Sequence, residues 1–287
     1  MGMLLIAAIQ AACFTLIKTG LEFAPPLLFG GLRALIGGSA LLAFAAFRRK
    51  PLLPTSSTWV GVLFLALVAT AITFGAMFLS PGRTEAGVAS ALGNLQPFLT
   101  LLLAYWLFSE PLSVGKATAV ILGVTGVTLI SYPTLSTSSA LGISGAALAL
   151  AVSFGSSAGN AVVKQMKPGE LLLAITGWQL AIGGLVLIVL SGLVGENLAV
   201  EANLEFLGLL LFLALIGTAL ITALWFEFVQ EGQMGRLATF FYLVPVFGLA
   251  IAVLVFDEAV SGIMLGGALM VLLAVAVMAL EWSSPSS

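Results

Sequence analysis

The 287 residues are 61% hydrophobic and only 8% charged, with a mean hydropathy of +1.20, whereas soluble domains carry roughly a quarter charged residues. A net charge of -2, no histidine and a single cysteine give no basis for a nucleic-acid partner, a disulfide framework, a metal centre or hydrolytic and redox catalysis, so no catalytic residue, metal or cofactor is expected. The apolar runs reach the roughly 20 residues of a membrane helix and lack the alternation of a transmembrane barrel, which makes the chain an all-α integral membrane protein with lipid as its surroundings.

Ten transmembrane helices are predicted, at about 3–20, 26–47, 59–80, 86–108, 114–132, 140–164, 170–192, 205–229, 235–256 and 261–281. The first span has no basic leader of the secretory kind and reads as a retained helix. On it Ala7, Gln10, Phe14 and Lys18 share one face by their three-and-four spacing, and Cys13 has no partner thiol. Span two carries Arg33, the deepest unambiguous charge, expected to bond nearby backbone carbonyls, and the Gly37 and Gly38 pair, which permits close helix approach. Span three offers Phe74, Met77 and Phe78 as an apolar lining.

Span four contains NLQPFLTLLLAYWLFSE at 94–110, where Pro97 beside Asn94 and Gln96 reads as a helix break facing a cavity, because a membrane proline frees carbonyls that need partners. Glu110 at its end is placed to cap the following helix. After span five, YPTLSTSSA at 132–140 is an uncharged seam. Span six carries Ser153, Ser156, Asn160 and Lys164 on one face. Span seven has Trp178, a candidate gate or cavity wall with lipid-facing packing as the competing role, and the Gly183 and Gly184 pair. The loop GENLAVEANLE, with Glu196, Glu201 and Glu205, reads as solvated. Span eight offers Thr222, Trp225 and Phe226, with Trp225 suited to packing or the interfacial belt. Span nine repeats the phrase of span four as YLVPVFGLAIAVLVFDE, with Tyr242, Pro245 and Glu258.

The repetition is general. A shift of 148 positions lays FLALVATA at 64 on FLALIGTA at 212, Gly87 on Gly235, Pro97 on Pro245 and Glu110 on Glu258. A shift of 146 lays Lys18 on Lys164, Gly31 on Gly177 and Gly37, Gly38 on Gly183, Gly184. The chain is therefore a duplicated five-helix unit, 1–133 and 140–287, joined by a linker at 134–139. An odd number of spans inverts the second copy, and inverted repeats are the mechanical basis of many secondary transporters. Gln179 stands opposite Arg33 in the repeat, so a role for that charge is not duplicated. With the N-terminus inside, inner connections hold Arg48, Arg49, Lys50, Lys116, Lys164, Lys167 and Arg236 against Lys18 and Arg83 outside, which places both termini in the cytoplasm.

Ten spans in two halves of five, a lysine ending each first span and the proline-to-glutamate phrase in each fourth span together resemble the drug/metabolite transporter superfamily, across essentially the whole chain. Within it the chain is similar to the bacterial ten-helix amino-acid and metabolite exporters, above all the aromatic amino-acid branch. The resemblance implies a central cavity lined by the first, third, fourth, sixth, eighth and ninth spans, and export across the bacterial inner membrane.

Together these readings make a substrate-binding set of Gln10, Phe14, Phe74, Phe78, Asn94, Pro97, Ser153, Asn160, Trp178, Thr222, Tyr242 and Pro245, with Lys18 and Lys164 as charges at opposite mouths or as snorkelling residues. No carboxylate is placed at mid-span and no phosphate-binding GxxxxGK[ST] stretch occurs, which argues against a cationic-drug antiporter and against ATP hydrolysis. The expectation is an alternating-access exporter of small molecules, aromatic or other apolar amino acids and related metabolites, for which a monomer suffices. The rivals are a nucleotide-sugar or drug/metabolite carrier of the same superfamily and, from other classes, a membrane scaffold or a lipid-acting enzyme.

Overall fold

The structure is a computed structural model that describes residues 2–80, 95–136, 143–232, 237–256 and 260–283. Every regular element among them is helical: α1 (Gly2–Gly20), α2 (Pro26–Phe47), α3 (Trp59–Leu79), α4 (Gln96–Phe108), α5 (Val114–Ser136), α6 (Ile143–Met166), α7 (Leu172–Leu193), α8 (Leu204–Glu231), α9 (Leu243–Phe256) and α10 (Gly262–Ser283). Six of these, α2, α3, α5, α7, α8 and α10, contain stretches long and apolar enough to cross a membrane among the described residues. The other helices fall short for identifiable reasons. In α6 the serines 153, 156 and 157 and Asn160 dilute the apolar run, and α4 has 13 residues.

Local chemistry sets the ends. The prolines expected to break spans four and nine each stand in the first turn of a helix. Pro97 is the second residue of α4, and Pro245 is the third of α9, just after a 3-10 turn at Thr239–Tyr242. In a first turn the missing N–H has no intrahelical acceptor to lose. The helix after Glu110 is capped by Ser113, whose hydroxyl accepts from the Lys116 amide at 3.1 Å, and Ser261 does the same for Met264 at 3.3 Å one repeat later. Glu258 lies outside the described residues. Helix α6 ends at Lys167, in the left-handed region with φ 45°, and Pro168 then prevents its continuation.

Two compact units are present, and each draws on both sequence halves. One comprises residues 1–12, 80–157 and 233–287; the other comprises 13–79 and 158–232. In the first, α5 and α10 pack through small residues, an added Cβ at Gly126 falling 2.7 Å from the Gly267 carbonyl, while Ala119 and Ala274 share a buried cluster with Met278. Tyr242 fills the core beside Ala7, Ala11, Val127 and Val271.

In the second unit α2 and α7 cross at backbone distance. A Cβ on Gly38 would lie 2.6 Å from the Gly177 carbonyl, and one on Gly184 would lie 2.7 Å from the Gly31 carbonyl. Each of these helices also leans on the π turns of a neighbour. A Cβ on Gly37 would lie 2.8 Å from the Ala214 carbonyl, and one on Gly183 would lie 2.6 Å from the Ala66 carbonyl. Those π turns, Leu65–Ile72 in α3 and Leu215–Leu220 in α8, fall on the matched phrases FLALVATA and FLALIGTA. The hydroxyl of Thr73 takes up the Val68 carbonyl at 2.8 Å beside the first of them.

Candidate functional site

Polar side chains inside the second unit converge on the π turns. Arg33 is the eighth residue of α2, about 10 Å along the axis from its start. It is 2% exposed, donates from Nε to Thr218 Oγ1 at 2.6 Å and from Nη2 to the Gly217 carbonyl at 3.1 Å, and lies over the Phe74 ring at 5.4 Å. The backbone bond expected of Arg33 is present, joined by one to a side chain.

Its repeat mate acts alike, against the expectation that the role is not duplicated. Gln179 on α7 receives the Thr70 hydroxyl at 3.4 Å, and Thr70 is the mate of Thr218. The position thus joins a helix to a π turn twice, once as a charged donor at 2.6 Å and once as a neutral acceptor at 3.4 Å.

Further from the π turns, Asn160 on α6 is buried and accepts the Trp225 indole N–H at 2.8 Å, so that of the two roles expected of Trp225, packing and the interfacial belt, the buried ring fits packing. Lys164, one turn on, donates to the Gly232 carbonyl at the end of α8, where the helix dipole favours a cation. Trp178 is half-buried and committed to structure, its indole donating to the Leu52 carbonyl at 2.9 Å and its ring meeting Trp59 at 5.6 Å. Phe78 packs edge-on against Phe29 at 5.2 Å in the core, while Thr222 is half-buried on α8.

In the first unit Ser153 is fully buried. Ser157, which the sequence pattern did not single out, accepts from Thr100 at 3.0 Å and donates toward the Ser153 and Gln96 carbonyls at 2.8 and 3.1 Å. This ties the proline-led start of α4 to α6. Gln10 and Pro245 are half-buried and Pro97 is buried. Tyr242 presents its ring to Gly123, its hydroxyl having no partner among the described residues. Asn94 and the side chains of Phe14 and Lys18 lie outside the described residues.

The acidic loop expected to be merely solvated does more. Glu196 receives the Leu27 and Leu28 amides at 3.1 and 3.2 Å and the Ser191 hydroxyl at 2.6 Å. It caps α2, whose own N-cap residue, Pro25, has no side-chain acceptor. Nothing local in the sequence announces this bond, because its partners are 169 and 168 positions away.

No group of histidine, cysteine and carboxylate side chains able to hold a metal occurs among the described residues.

Comparison with known proteins follows the same division into halves. The chain matches the family described as EamA-like transporter family over residues 1–132 and 143–280. A protein of Salmonella typhimurium described as a probable amino-acid metabolite efflux pump is 29% identical, over 94% of this chain and 90% of its own length. A protein of Arabidopsis thaliana described as WAT1-related and chloroplastic is 27% identical over 90% of this chain, which spans 64% of that relative. A solved structure titled crystal structure of protein covers 98% of both chains with a TM-score of 0.80 at 18% identity, a likeness of fold.

Proposed function

The chain belongs to the EamA-like transporter family and is a multi-pass membrane transporter rather than an enzyme, and from that premise we propose that it exports amino acids, aromatic or other apolar ones first, and related metabolites by alternating access. On this reading ten spans form two inverted five-helix repeats in a bacterial inner membrane, both termini are cytoplasmic, and one copy of the chain suffices.

The observation that carries the mechanism is reciprocity. Copies related by a two-fold axis must meet so that residue i against the mate of j implies j against the mate of i. Gly31 lies against Gly184 and Gly38 against Gly177, and each of those partners is the repeat mate of the other's glycine. The Arg33–Thr218 and Gln179–Thr70 bonds and the two π turns obey the same rule. Near-equivalent copies can exchange conformations, and that exchange opens a pathway to one side and then the other.

The substrate class is supported by the Salmonella relative's description. It is supported too by a second unit whose described buried side chains include no carboxylate to hold a cationic solute. Half-buried Phe74 and Thr222, both singled out from the sequence, remain available on α3 and α8 for a mostly apolar lining with few orienting polar groups, which suits a flat solute. The test is uptake of a radiolabelled amino-acid panel into liposomes holding the purified protein, with and without a pH gradient. Entry without the gradient, aromatic amino acids fastest, supports the proposal. Entry of phosphorylated or cationic solutes alone refutes the substrate class.

A further inference from the structure

We infer that the free edge of the Arg33 guanidinium binds the carboxylate of the transported solute. A guanidinium offers five N–H donors in a fixed fork and does not lose its charge. Here Nε serves Thr218 and Nη2 serves the Gly217 carbonyl, while Nη1 has no acceptor among the described residues although Arg33 is 2% exposed. No described carboxylate forms an ion pair with Arg33.

The duplication supplies an internal control. At the mate position a neutral amide, Gln179, also bonds the threonine of a π turn, as acceptor from Thr70 in α3. Joining this helix position to a π turn therefore requires a hydrogen bond and no charge, and the cation at Arg33 is in excess of its structural task. A buried charge persists where an opposite charge meets it.

The surroundings fit a planar acid. The face of Phe74 lies under the guanidinium at 5.4 Å. Position 217 favours glycine, since a Cβ there would run into Cys13 Sγ, and the Gly217 carbonyl is thereby held against Nη2, which leaves Nη1 as the free donor. A carboxylate has two acceptor oxygens in the plane that such a fork recognises. The inference rests on the proposed transport reading for the identity of the solute and on geometry alone for its carboxylate.

The experiment uses the purified full chain and two isosteric pairs, L-phenylalanine with L-phenylalaninamide and phenylacetate with phenylacetamide, with binding read from the concentration-dependent rise in melting temperature. The wild type is expected to be stabilised by the acids and much less by the amides. Arg33→Gln, which copies the other half, is expected to weaken acid binding about a hundredfold, about 2.7 kcal/mol, and to leave the amides unchanged. Arg33→Lys keeps the charge without the fork and is expected to lose about tenfold for the acids only. Lys50→Met reports any loss unrelated to this position.

A wild type that does not distinguish acid from amide overturns the inference. So does an equal weakening of both probes in Arg33→Lys, a result that stands even where Arg33→Gln does not fold. Acid-selective binding without transport of any amino acid sustains the inference and sinks the export reading. Amino-acid export with an undiminished acid preference in Arg33→Gln does the reverse.

Discussion

Alanine at Gly184 is predicted to force apart the crossing of α2 and α7. The added Cβ would stand 2.6 Å from the Leu35 amide nitrogen and 2.7 Å from the Gly31 carbonyl oxygen, backbone atoms that no rotamer change moves aside. Ordinary contact begins at 3.4 Å, so the two helices have to separate by about 0.8 Å at this point. Overpacking of this kind costs about 1–3 kcal/mol, and a clash with backbone on both counts belongs near the top of that range. At roughly 2–4 °C per kcal/mol for a chain of this size, the expected fall in Tm is about 4–10 °C. The assay is thermal unfolding of the detergent-solubilised chain followed by tryptophan fluorescence, with Gly192→Ala on the same helix as its control. A Cβ at Gly192 meets nothing within 4 Å, and alanine there gains helix propensity of up to about 1 kcal/mol. A Gly184→Ala protein that melts at or above the wild type would refute the argument that the crossing depends on the missing side chain.

The same melts test three further expectations. Thr218→Val removes the acceptor of a charge-assisted bond and is expected to cost about 1.5–3 kcal/mol, whereas Thr70→Val loses a neutral bond of 3.4 Å and is expected to cost under about 1 kcal/mol; equal losses contradict the asymmetry of the two halves. Glu196→Ala strips the cap from α2 and is expected to cost about 1–2 kcal/mol, with Glu196→Gln recovering part of it, and an unchanged melt shows that water caps the helix as well. Lys50→Met removes an exposed pair with Glu170 and is expected to stay within about 1 kcal/mol of wild type, so a larger fall assigns that loop a role the geometry does not give it.

What the sequence disclosed, and what it withheld, follows from the range of each interaction. Helices, the paired glycines and the phrase repeat are properties of neighbouring residues, and a period or a shift exposes them. The roles of Gln179, Ser157 and Glu196 depend on partners 109, 57 and 168 or more positions away, and the residue types alone do not choose among the available donors. The prolines were legible as interruptions of an apolar run, but such a run hides the residue at which a helix starts, and at 97 and 245 the start is within two residues of the proline. The π turns left a trace in the sequence, since FLALVATA and FLALIGTA are among its best-matched segments, but an apolar octapeptide carries no sign of a wider ladder.

The departures from symmetry are more informative than the symmetry. Equivalent glycines, serine caps and π turns keep two copies of one architecture in step, and any of them could be exchanged between the halves with little change in local chemistry. Arg33 against Gln179 and Asn160 against Phe14 could not be. A carrier that alternates between two conformations needs halves alike enough to trade shapes, but a solute with one charged end needs a pathway that is not alike at both ends. On the proposed alternating-access reading, differences at a few polar positions such as Arg33 and Asn160 would meet both demands, because each changes what the solute meets without altering the helix crossings.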